Sequence, residues 1–172
     1  LIVVYNLPVA NAGNDDTLCV FDTIPLNASG GTIYKWTPTD SISSDTVPNP
    51  FAFPAATTTY IVLVTDSNSC KNKDSVTVMV NALPLADAGT DRAICIYDTT
   101  QLSASGGSNY SWLPAFSIDN ISISAPKAWP AATTIYSVLV TDSNGCKKRD
   151  SVTVLVNALP NSDAGPDTAI CI

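Results

Sequence analysis

Between Thr59 and Asp66 the chain reads Thr-Tyr-Ile-Val-Leu-Val-Thr-Asp, and between Ile135 and Asp142 it reads Ile-Tyr-Ser-Val-Leu-Val-Thr-Asp. Tyr136, Val138 and Val140 fall on one side of an extended chain and Ser137, Leu139 and Thr141 on the other, the period-two alternation of a strand. Asp150 to Val156 alternates likewise and points Val152, Val154 and Val156 inward. Asp142-Ser143-Asn144-Gly145 separates these two strands, and its Asn-Gly pair suits a tight hairpin turn with positive φ. The earlier copy has Asn68-Ser69 at that place, which predicts a looser turn. Leu102 and Ala104, then Tyr110 and Trp112, supply two further strands near the Ser105-Gly106-Gly107 turn. Short alternating strands separated by Pro- and Gly-marked turns predict an all-β fold, a small Ig-like sandwich of six or seven strands.

The pattern occurs twice. A shift of 76 residues superposes Cys19 on Cys95 and Cys171, Trp36 on Trp112, Tyr60 on Tyr136 and Cys70 on Cys146. Aligned without a gap, residues 9–84 and 85–160 are identical at 44 of 76 positions, so every loop keeps its length. Residues 1–8 are expected as the last strand of a preceding repeat, 9–84 and 85–160 as complete Ig-like repeats, and 161–172 as the start of a following one. The expected parent is a longer tandem array. Each junction reads Leu-Pro followed closely by Ala-Gly, with no Gly/Ser linker. Equal junctions between near-equal domains predict a regular rod or gentle superhelix.

Composition agrees with strands. All fifteen acidic residues are Asp, there is no His, and Met occurs once, so the helix formers are scarce. A net charge of −7 argues against nucleic-acid partners, which need a basic footprint. The longest apolar runs are too short to insert in a bilayer as helices.

Five cysteines resolve into two per repeat, and register predicts the disulfides Cys19–Cys70 and Cys95–Cys146, with Cys171 left single by truncation. A staple closing such a loop stabilises a small core by about 4 kcal/mol and implies an oxidising, extracytoplasmic compartment. Two cysteines 51 residues apart without His do not match zinc-ligand spacing.

No His-dependent triad is available, so no enzyme is expected. Asp15-Asp16 resembles a carboxylate pair, but Arg92 stands opposite Asp16 in the second repeat. No cofactor is required. The segments Asn11 to Asp15, Asp87 to Asp91 and Asp163 to Asp167 recur at each domain start. Two readings fit them. Asp15, Asp87, Asp91, Asp163 and Asp167 could hold Ca²⁺ at the domain junctions, or they form Asx-bonded turns. Trp36 and Trp112 are expected in the core, and Tyr60 and Tyr136 at a tyrosine corner. Phe51, Phe53, Phe116 and Trp129 lie in Pro-rich connections that differ between repeats and are the candidate sticky aromatics. Asp followed by Ser or Thr and then a small or apolar residue, or Thr, occurs eight times. The hydroxyl residues are Thr17, Thr23, Ser41, Thr46, Ser75, Thr99, Ser151 and Thr168.

The runs "ADAG.D..IC", "L.ASGG..Y.W.P", "P.ATT.Y.V.VTDSNGC" and "DSVTV.VN.LP" together resemble the PKD-like and Ig-like repeats of secreted Bacteroidota cell-surface proteins, including gliding-motility adhesins. The Trp-Asp-Phe-Gly-Asp-Gly run of true PKD domains is replaced here by Trp36-Thr37-Pro38-Thr39-Asp40 and Trp112-Leu113-Pro114. The resemblance implies export and tandem use as stalk or adhesin. It also implies that the eight hydroxyl residues are O-glycosylation sites.

The expected function is a secreted structural repeat forming a stalk or extracellular filament at the bacterial surface, its partners being neighbouring repeats and other copies of itself. One alternative is an adhesin module gripping polysaccharide or a partner surface through segments 40–53 and 116–129. Another is an accessory domain of a secreted hydrolase.

Overall fold

The computed structural model describes residues 2–163 together with 165, 167 and 169. Thr168 and Cys171 lie outside the described residues. The chain divides into two compact units, Leu1–Leu83 and Pro84–Ile172, so the boundary falls one residue before the expected one.

The first unit contains β1 (Asp16–Cys19), β2 (Ile24–Pro25), β3 (Ile33–Thr37), β4 (Phe51–Ala52), β5 (Thr58–Thr65) and β6 (Lys71–Asn81). One sheet has the order β1-β6-β5-β3 and the other pairs β2 with β4. The second unit repeats this with β7 (Arg92–Cys95), β8 (Thr100–Gln101), β9 (Asn109–Leu113), β10 (Lys127–Ala128), β11 (Thr134–Thr141) and β12 (Lys147–Asn157), in the orders β7-β12-β11-β9 and β10-β8. Both units are Ig-like β-sandwiches, and no helix occurs among the described residues.

Register is the same in the two units. Tyr60 faces Val76 across β5–β6, and Tyr136 faces Val152 across β11–β12. The alternation read from the sequence decides which face is buried. Tyr60, Val62, Val64 and Val78 have no exposed surface, nor do Tyr136, Val138, Val140 and Val154. Each fully buried valine contributes about 1.5–3 kcal/mol of hydrophobic stabilisation. Trp36 and Trp112 fill the centres of the two cores, and neither indole N–H is wasted. Trp36 Nε1 donates to Val47 O at 3.0 Å and Trp112 Nε1 to Ile123 O at 2.9 Å. The phenols do the same at the corner: Tyr60 donates to Ser41 O at 3.0 Å and Tyr136 to Ser117 O at 3.1 Å.

The strands expected around Leu102 and Ala104 are shorter than the pattern suggested. β8 is two residues long, after which Leu102 N donates to Pro126 O and Ala104 N to Ser124 O. Pro126, like Pro50 in the first unit, has no N–H to return, so the ladder cannot continue there. Residues 2–8, expected as a last strand, form no strand. Their counterparts in β6 are held between β1 and β5, whereas no strand pairs with residues 2–8 among the described residues.

The predicted cysteine pairs Cys19–Cys70 and Cys95–Cys146 do not form. Cys70 and Cys95 are free thiols, whereas Cys19 and Cys146 are disulfide-bonded. Strand register is the reason. Cys19 lies beside Asn81 at the far end of β6, while Cys70 precedes Lys71 at its start. Cys95 and Cys146 are likewise at opposite ends of β12, next to Asn157 and Lys147. Ten residue steps of about 3.3 Å separate the two ends by about 33 Å. A disulfide needs Cα atoms about 4.4–6.8 Å apart.

Candidate functional site

Each unit has two poles. At the proximal pole lie the β5–β6 (or β11–β12) hairpin and the Gly-Gly turn before β3 (or β9). At the distal pole lie the end of β1 (or β7) and the end of β6 (or β12). The chain enters at the first and leaves at the second.

The proximal hairpin is built by one carboxylate. Asp66 Oδ1 accepts the N–H groups of Asn68 and Cys70, both at 2.9 Å, and Asp142 Oδ1 accepts those of Asn144 at 2.8 Å and Cys146 at 2.9 Å. Ser69 and Gly145 then take the left-handed conformation, with φ of 67° and 82°. The first hairpin is therefore not looser than the second. It adopts the same loop, with serine in a place that favours glycine. Gly30 and Gly106 make the neighbouring turn, with φ of 102° and 98°, against the backbone of Val9 and Leu85.

Four aspartates tie the incoming segment to the long strand. Asp74 Oδ2 accepts Ala12 N–H and Asp150 Oδ2 accepts Ala88 N–H, both at 2.7 Å. Asp15 Oδ1 accepts Thr77 N–H at 2.7 Å, and Asp91 Oδ1 accepts Thr153 N–H at 2.8 Å. Sequence reading missed Asp74 and Asp150 because the residues they hold are 62 positions away. Of the Ca²⁺ candidates, Asp15 and Asp91 thus clasp a strand. Asp87 and Asp163 accept the N–H groups of Gly89 and Gly165 at 2.8 Å, as Asx turns do. Asp167 is exposed. No group of three metal-ligating side chains converges among the described residues.

Seven of the eight triplet hydroxyl residues are described. Thr17, Thr23, Thr46, Ser75, Thr99 and Ser151 are exposed. Ser75 and Ser151 stand mid-strand on the outer sheet face, opposite Ile61 and Ser137. Ser41 is half-buried with φ of 56°, and its carbonyl accepts the Tyr60 hydroxyl.

The variable segments keep one geometry with different residues. Ser43 Oγ accepts Phe51 N–H at 2.9 Å in the first unit, and Asp119 Oδ1 accepts Lys127 N–H at 2.8 Å at the equivalent place in the second. In the first unit Lys35 pairs with Asp45, and the ammonium hydrogen-bonded to that carboxylate holds its pKa below the ordinary range. Phe51, Phe53, Phe116 and Trp129 are all exposed. Burial raises the pKa of Tyr60 and Tyr136, with Asp40 adding to the effect on Tyr60.

Two aromatic residues escaped the sequence reading. Phe21 and Tyr97 occupy matching turns at the distal pole, 84% and 83% exposed, each with φ of 77°. Asp22 N donates to Cys19 O at 2.9 Å and Asp98 N to Cys95 O at 3.0 Å, closing turns that ordinarily place glycine at this position. The signal available was an aromatic repeated in Cys-Val-Phe-Asp-Thr and Cys-Ile-Tyr-Asp-Thr.

A cavity of about 200 Å³ opens in the first unit between Ala12, Asp16, Leu26 and Val78. That falls short of the roughly 300–1,000 Å³ of small-molecule pockets.

No protein-family profile and no curated protein matches the chain. Solved structures do. Extracellular domains 3–5 of Drosophila OTK are 12% identical with a TM-score of 0.46, over 86% of this chain and 62% of that one. The PKD domain from the KIAA 1837 protein is 20% identical with a TM-score of 0.38, over 52% of this chain and 97% of its own. The insect immune protein hemolin is 16% identical with a TM-score of 0.44, over 87% of this chain and 47% of that one. The chain thus spans less than two thirds of the OTK domain 3–5 chain and of the hemolin chain.

Proposed function

We propose that the chain is a piece of a secreted structural array, a stalk or surface filament built by repetition of one Ig-like unit. The observation that carries this reading is the identity of construction in the two units. Strand lengths, register, aspartate clasps and turn conformations coincide, although 32 of the 76 aligned residues differ. Selection for a ligand pocket would distinguish one unit from another, whereas an array needs each unit to hand the chain on in the same way. Disulfide-bonded cysteines support an oxidising, extracellular setting. The exposed triplet hydroxyls are accessible for O-glycosylation, and the resemblance to Bacteroidota surface repeats supports a bacterial cell surface.

The exposed Phe51, Phe53, Phe116 and Trp129 favour a second reading, an adhesin whose variable segments stack on polysaccharide. Electron microscopy of the native full-length protein, with intact-mass analysis and a glycan array, separates the two. Regular fibres carrying sugar on the triplet hydroxyls and silent on the array support the structural polymer. Saturable glycan binding lost in Trp129→Ala and Phe53→Ala, without fibres, supports the adhesin and overturns the first reading.

A further inference from the structure

The free thiols Cys70 and Cys95 are not equivalent to each other. Cys95 occupies the first-cysteine position of its repeat, at the distal pole. Cys70 occupies the second-cysteine position, at the proximal pole. Their counterparts across the 76-residue repeat are Cys19 and Cys146, and both of those are disulfide-bonded. The same two positions therefore form disulfides elsewhere in this molecule. Neither position is served by its own repeat, because about 33 Å of strand separates the two.

We propose that Cys95 and Cys70 are the two half-sites of a head-to-tail disulfide between copies of this repeat, the first cysteine of one copy bonding the second cysteine of the next. Three observations favour a second copy as the occupant. The two classes of cysteine lie at opposite poles, where one copy would hand over to another, and an unlike pairing leaves neither class in excess. Both thiols are half-exposed and reachable. The poles also differ in charge: Asp98 lies three residues beyond Cys95, whereas at the other pole Lys71 and Lys73 outweigh Asp66, whose carboxylate accepts the Cys70 N–H. Opposite charges orient head-to-tail approach and oppose head-to-head contact. Tyr97, exposed on a turn with φ of 77°, stands two residues beyond Cys95, as Phe21 stands two residues beyond Cys19 in the first unit. Backbone strain retained in both copies fits a contact made there. Two thiols become one S–S bond and release two protons and two electrons, which a small-molecule disulfide accepts as it leaves as two thiols.

This inference deepens the structural-array reading and rests on it for the source of the partner copy. Cleavage after Lys and Arg puts each of the five cysteines on its own peptide, with Cys70 on 36–71 and Cys95 on 93–127. The chain carrying Cys171→Ser is incubated with oxidised glutathione, alkylated, separated by size without reduction, digested and mapped by mass spectrometry. The expected result is a dimer and higher oligomers in which peptide 93–127 is joined to peptide 36–71, lost in Cys95→Ser and in Cys70→Ser. Circular dichroism confirms that both variants fold. Like-with-like links in equal amount, a link found only within monomers, or complete alkylation of both thiols in monomers overturns the proposal. End-to-end fibres of the native protein whose Cys70 and Cys95 are alkylated without reduction would refute the disulfide and leave the array reading intact.

Discussion

The two hairpins at the proximal poles form a matched experiment on backbone strain. Ser69 and Gly145 occupy the same left-handed position, in loops closed by the same aspartate and with the same cysteine two steps from its apex. Exchanging the residues, Ser69→Gly and Gly145→Ser, tests what that conformation costs. A β-carbon placed on Gly145 meets no atom within 4 Å, so no packing effect confuses the comparison. A non-glycine residue pays about 1–2 kcal/mol for left-handed geometry. Glycine returns about 0.5–1 kcal/mol of that as chain entropy lost on folding. The net expectation is about 1 kcal/mol, gained by the first unit in Ser69→Gly and lost by the second in Gly145→Ser. For units of this size that moves Tm by about 4–8 °C. Native-state hydrogen exchange reads the two units separately through the amides of β5–β6 and β11–β12, and scanning calorimetry gives the transitions. Slower exchange in β5–β6 for the first variant and faster exchange in β11–β12 for the second is the expected pattern. If both variants leave exchange unchanged, or both shift it the same way, the positive φ is not an energetic difference between the repeats.

Gly106→Ala should be far more damaging, because a β-carbon there would lie 1.9 Å from Leu85 O. Backbone must move, and a loss of about 3 kcal/mol or more in the second unit is expected by urea denaturation. Asp150→Ala leaves the buried Ala88 N–H without its acceptor and should cost about 2 kcal/mol, with amide exchange at Ala88 accelerated ahead of the β11–β12 core. Tyr60 and Tyr136 carry pKa values raised mainly by burial, so their neutral form is the one the fold favours. That contribution is complete below the ordinary tyrosine value of about 10 and is lost as pH climbs through the higher folded values. Near-ultraviolet absorbance titration should show these two phenols ionising last, and phenylalanine at both positions should weaken the alkaline loss of stability.

How much was legible depended on the range of the interaction. Period-two alternation in Thr59 to Asp66 and Asp150 to Val156 identifies strands and their buried faces because it follows from backbone geometry alone. The same pattern puts Tyr60 and Tyr136 on the buried face, whereas the core place expected for Trp36 and Trp112 came from the architecture of an Ig-like sandwich. The shortness of β8 was hidden, since it depends on the prolines that happen to stand across from Leu26 and Leu102. Phe21 and Tyr97 were hidden because φ is not written in composition. Exposure of Phe51, Phe53, Phe116 and Trp129 agreed with their place in variable, Pro-rich connections.

The sequence by itself determined that the chain is all-β, that it repeats every 76 residues without a gap, and that each repeat carries one buried tryptophan and two cysteines. These are local or periodic properties, and a one-dimensional string displays them. Tertiary structure alone decided which cysteines are within reach of each other. Counting from the string paired Cys19 with Cys70 and Cys95 with Cys146. Parallel pairing of β1 with β6 and of β7 with β12 carries each first cysteine to the far end of an eleven-residue strand, away from the second. Register sets distance, and a covalent bond of fixed length cannot be formed against it.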